Sequence, residues 1–96
     1  MGSSAPHTIS FAIAGPIARA DLPGLCARAR RLLEDGAVEV ALCDVRDVVA
    51  DAVTVDALAR LQLAARRHGC RVALRHSSSE LRLLVALMGL ADVLPE

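Results

Sequence analysis

The stretch 51–70, DAVTVDALARLQLAARRHGC, limits the fold more than any other. It leaves one strand-like segment, carries a helical apolar period and closes on a glycine just before another strand-like segment. Residues 51–54 are expected to turn, residues 55–68 to form a helix, Gly69 to cap its C-terminus and Cys70 to begin a strand. A turn ending at a helix N-terminus leaves unpaired N–H groups and a partial positive charge, where anions, phosphoryl groups or partner carboxylates dock. Any working site in the chain is expected there.

The flanking sequence fits the same architecture. Residues 8–14 alternate, with Ile9, Phe11 and Ile13 on one face, until Gly15-Pro16 breaks the strand. Asp21 is placed to cap the next helix and Pro23 sits in its first turn; Leu22, Leu25, Cys26, Ala29, Leu32 and Leu33 make an apolar stripe opposite Arg28, Arg30, Arg31 and Glu34, and Gly36 ends it. Residues 38–43 predict a second strand with Val38, Val40 and Leu42 inward, and residues 44–50 lead away from it. Residues 70–75 predict a third, with Cys70, Val72 and Leu74 on one face and Arg71, Ala73 and Arg75 on the other. Polar residues on the second face (Glu39, Arg71, Arg75) predict helices on one side of the sheet only. Ser77 and Glu80 have the spacing of a capping box for a helix burying Leu81, Leu84, Val85 and Met88, closed by Gly89; the triple serine 77–79 also admits phosphorylation. The ending LADVLPE is an apolar tail that can dock on the core. Short connections in β-α-β-α-β-α order argue an α/β domain with right-handed crossovers, residues 1–7 being a flexible leader and residues 8–96 one domain.

Composition excludes several functions. Ninety-six residues, 54% hydrophobic, suffice for one core without metal or disulfide staples. Eleven basic residues balance 11 acidic ones, so the excess of positive charge expected for nucleic-acid or anionic-membrane binding is missing. The one aromatic, Phe11, falls on a core face, leaving no side chain for base stacking. Cys26, Cys43 and Cys70 lie 17 and 27 residues apart, outside any CxxC spacing, and read as buried thiols. His7, His68 and His76 stand at no ligand or triad spacing, and there is no Gly-rich phosphate loop. No catalytic residue, metal or cofactor is expected. With no signal peptide and no apolar run of membrane-spanning length, a cytoplasmic location is expected.

Taken in order, these pieces resemble a STAS domain, the module of bacterial anti-sigma factor antagonists, over residues 8–94. The family's second strand ends in an Asp-Leu-Ser-x-Val type sequence, here Asp44-Val45-Arg46-Asp47-Val48. It continues into Asp-Ser-Ser/Ala/Thr-Gly-Leu and a glycine-closed helix, which residues 51–70 match without a gap; Met88-Gly89-Leu90 matches the family's Gly-Leu close. The resemblance implies a mostly parallel or mixed sheet of four to five strands with helices on one face. It also implies a non-catalytic partner-switching module whose docking loop and second helix bind a kinase-type anti-sigma factor ATPase. In the family that kinase phosphorylates a loop serine, and the added charge of about −1.5 to −2 ends the contact.

Asp51 fits the family's acidic position, but Ala52 and Val53 stand where its hydroxyl belongs, Thr54 where its glycine does and Val55 where its leucine does. The phosphorylation switch is therefore expected to be missing. Thr54 is the substitute acceptor only after a change of register, and otherwise an N-cap or first-turn residue; Asp51 also reads as a simple cap. Partner contact is expected through Arg46, Asp47, Asp51, Ala52, Val53, Thr54, Asp56 and Ala59. The same resemblance admits an alternative, a cytoplasmic accessory subunit of a phospholipid-transporting ABC system that clamps the ATPase subunit without phosphorylation. A homodimer through the sheet face bearing Glu39, Arg71 and Arg75 is a further reading.

Overall fold

In the computed structural model the described residues are 7–34 and 38–94. Strand β1 (His7–Gly15), a 3-10 turn (Arg19–Asp21), α1 (Leu22–Glu34), β2 (Val38–Val48), α2 (Ala52–Arg67), β3 (Arg71–Arg75) and α3 (Ser79–Leu87) follow one another. The strands form one parallel sheet in the order β1-β2-β3. Successive right-handed crossovers that all step the same way put their helices on the same face. There Ala29 and Leu33 of α1, Leu58, Leu61 and Ala65 of α2, and Leu81 and Val85 of α3 pack on Ala41, Cys43, Val45, Val72 and Leu74. The opposite face carries the cross-strand rows Thr8-Val40-Arg71, Ser10-Leu42-Ala73 and Ala12-Asp44-Arg75, all exposed or half-buried.

Several expectations change. The described residues hold three strands, all parallel, against the four to five that the family resemblance implies. Alternation in residues 38–43 predicts Val40 and Leu42 inward, yet Ala41, Cys43 and Val45 are the buried residues. A register shift is the cause: His7 pairs with Val38 and Thr8 with Val40, so Glu39 is bulged out and every later side chain changes face. Leu32 and Met88, expected in buried stripes, are exposed at 48% and 41%. Gly36 lies outside the described residues. Asp21 does not cap α1 through a bond to it; its carboxylate accepts from the Ala18 N–H at 3.0 Å and closes the 3-10 turn instead.

Helix ends follow local chemistry. Cys70 N–H donates to Ala65 C=O (2.9 Å) and Gly69 N–H to Arg66 C=O (3.1 Å), a Schellman motif that needs the positive φ of Gly69, +70°. Because the Cys70 N–H is used there, β3 begins one residue later than the alternation predicts. At α3 the cap is Ser78 rather than Ser77: its hydroxyl accepts from Leu81 N–H at 3.1 Å, which leaves Glu80 outside the position a capping box requires. Leu94, 5% exposed, anchors the tail on the core.

Candidate functional site at the start of the second helix

The carboxyl ends of β1 and β2 lie side by side, Ala14 opposite Asp47 and Gly15 opposite Val48, and the chain turns from there into α2. In open α/β sheets this end is where ligands and partners gather. Asp51 is the N-cap, its carboxylate accepting from the Thr54 N–H at 2.8 Å. Residues 52–54 are therefore the first helical turn, and α2 begins three residues before the position its sequence predicts.

That shift separates the candidate residues. Ala52, Asp56 and Ala59 occupy one outward stripe at i, i+4 and i+7, with Ala52 exposed and the other two half-buried. Leu63, 56% exposed and absent from the sequence-derived set, extends the stripe by another turn. Val53 leans toward α1 and packs against Ile17, Leu22 and Ala57. Thr54 turns the opposite way: it is 0% exposed and its Oγ1 has no hydrogen-bond partner. Its place in the core removes Thr54 from the contact surface and encloses the hydroxyl a kinase would need to reach.

Arg46 and Asp47 are exposed at the end of β2, where Arg46 N–H donates to Asp44 at 2.9 Å and its guanidinium stands 3.8 Å from the same carboxylate. Asp56 stands between Arg19 (3.4 Å) and Arg60 (3.3 Å), so the 3-10 turn before α1 is tied to the side of α2. Arg19 and Val49, the latter 45% exposed just before the cap, are site neighbours that sequence periodicity did not identify, because both lie in irregular connections.

A second missed residue is structural. Gln62 is 1% exposed; its Nε2 donates to Val72 C=O (2.9 Å) and Val93 C=O (2.7 Å), and its Oε1 accepts from Val72 N–H (2.7 Å). The side-chain amide thus serves edge strand β3 as another strand would and ties the tail to it. Its signal was a polar residue in register with Leu58, Leu61 and Ala65.

Cys43 and Cys70 are buried and Cys26 half-buried. Burial first, then the Asp44 charge, pushes the Cys43 thiol up to about 12, and burial raises Cys70, so both stay protonated and unreactive at neutral pH. Among the described residues no cluster of His, Cys, Asp and Glu is arranged to hold a metal ion, and no helix is long and apolar enough to cross a membrane.

Neither a family model nor a curated protein matches this sequence. Solved structures do match its fold. The STAS domain of a SulP transporter from Vibrio cholerae superimposes with a TM-score of 0.72 at 13% identity, over 92% of this chain and 68% of that one. The chain has the STAS-domain fold. The anti-sigma factor antagonist SpoIIAA in its unphosphorylated form gives 0.68 at 17% identity, over 97% of this chain and 82% of that one. At these identities the likeness belongs to the backbone. This chain carries its own side chains at the start of α2.

Proposed function

We propose that this STAS domain is a non-catalytic, cytoplasmic protein-binding module of the anti-sigma factor antagonist type, formed by residues 8–96. It docks a kinase-like anti-sigma ATPase through Arg46, Asp47, Asp51, Ala52, Val53, Asp56 and Ala59. The observation that carries this reading is the outward stripe Ala52-Asp56-Ala59-Leu63, which starts at the capped N-terminus of α2. Small side chains there let a partner helix approach closely, and Asp56 supplies one directional charge.

The stripe carries no hydroxyl, and Thr54 is enclosed, which supports a contact that phosphorylation does not end. That same observation favours a second reading, an accessory subunit held permanently on the ATPase of a phospholipid-transporting ABC system. Affinity capture from the native host's lysate, with proteins identified by mass spectrometry, separates the two. Ala52→Arg is the control variant, since Ala52 is exposed and arginine is a good helix former. A kinase-like ATPase recovered by the wild type and lost from the variant supports the first reading; a permease and its ATPase support the second. Identical recovery by both chains excludes the stripe as the docking surface.

A further inference from the structure

Charge in this neutral chain is segregated. Six of its 11 arginines lie on α1 and α2 (Arg28, Arg30, Arg31, Arg60, Arg66, Arg67), against two carboxylates in those helices, Glu34 and Asp56. Asp56 is already engaged by Arg19 and Arg60. Between the two helices runs an open groove of about 340 Å³ lined by Cys26, Arg30, Arg60, Leu63, Ala64, Arg67 and His68, with no carboxylate in its lining. Arg30, Arg67 and His68 are exposed, and neither arginine meets an acidic side chain among the described residues.

We propose that this groove is a second docking surface, for an acidic amphipathic segment of a partner protein. The guanidiniums of Arg30 and Arg67, unpaired among the described residues, fix the sign of the occupant, and guanidinium forks pair with carboxylates two bonds at a time. The exposed Leu63 beside half-buried Ala64 supplies an apolar strip for one face of a helix, which a bare inorganic anion would leave unused. The groove lies along the C-terminal half of α2 and meets the first surface at Leu63, but Ala52 stands about 16 Å earlier along the helix, so variants at Ala52 leave the groove intact.

The test is fluorescence anisotropy with a labelled helical Glu/Ala peptide carrying one central leucine, beside the same peptide with lysine for glutamate. The acidic peptide is expected to bind and the lysine peptide not to. Raising NaCl from about 20 mM to about 200 mM is expected to weaken binding about tenfold. The double variant Arg30→Glu/Arg67→Glu is expected to weaken it at least about tenfold, while Arg71→Glu/Arg75→Glu on the open sheet face, with the same change in net charge, leaves it unchanged. Bound peptide is expected to slow alkylation of Cys26 by N-ethylmaleimide, a neutral reagent. Equal binding of the two peptides, or binding that survives Arg30→Glu/Arg67→Glu, overturns the proposal. So does binding to phosphatidylglycerol vesicles in place of the acidic peptide.

Discussion

Gln62 is the only glutamine in the chain, and three hydrogen bonds from its side chain hold two segments that sequence separates. Gln62→Leu keeps the volume but leaves the buried Val72 N–H and C=O and the part-buried Val93 C=O without that partner, which is expected to cost about 2–4 kcal/mol in urea unfolding. Thr54 predicts the opposite sign. Its hydroxyl is buried with no partner, so Thr54→Val is expected to stabilise by about 1 kcal/mol; a loss of stability would show that the hydroxyl is satisfied. The thiols set the alkaline limit. Cys43 is held protonated up to about 12 when folded but ionises near its ordinary value of 9.0 when unfolded. The unfolded chain therefore loses its proton first: the contribution is complete below pH 9 and falls as pH rises toward 12, by up to about 1.4 kcal/mol per pH unit. The chain has neither lysine nor tyrosine to titrate in that range, so Cys43→Ala is expected to flatten the decline in urea midpoint read by circular dichroism.

Elements were legible where a single residue dictates the backbone. Asp51 caps α2 and Gly69 closes it because an acceptor side chain and a positive φ are needed at those points, needs visible in the sequence. Asp51→Ala is expected to cost about 1 kcal/mol in thermal or urea unfolding, with an unchanged helical spectrum in the folded state. What was not legible depends on pairing. The bulge at Glu39 exists only against β1, and without the partner strand's register the run VEVALC reads as simple alternation, which sends Val40 and Leu42 to the wrong face. Ser78 displaced Ser77 as the cap of α3 for a similar reason. Three consecutive serines offer three caps, and only the structure shows that Ser78 is the one used.

At the scale of the molecule, a parallel sheet with helices on one face is unusual, since parallel sheets are ordinarily covered on both. The sequence foreshadowed the one-sided packing through Arg71 and Arg75, whereas the site surface depends on α2 starting at Ala52, which the apolar period does not mark. That start turns Ala52, Asp56 and Ala59 outward and buries Thr54, the arrangement on which the proposed contact surface rests. Hydrogen–deuterium exchange on the chain alone and in complex with its captured partner tests this most directly. The account predicts slowed exchange across residues 46–59, with β3 unchanged. Slowed exchange confined to β3 and the open face of the sheet, with residues 46–59 unaffected, would contradict it.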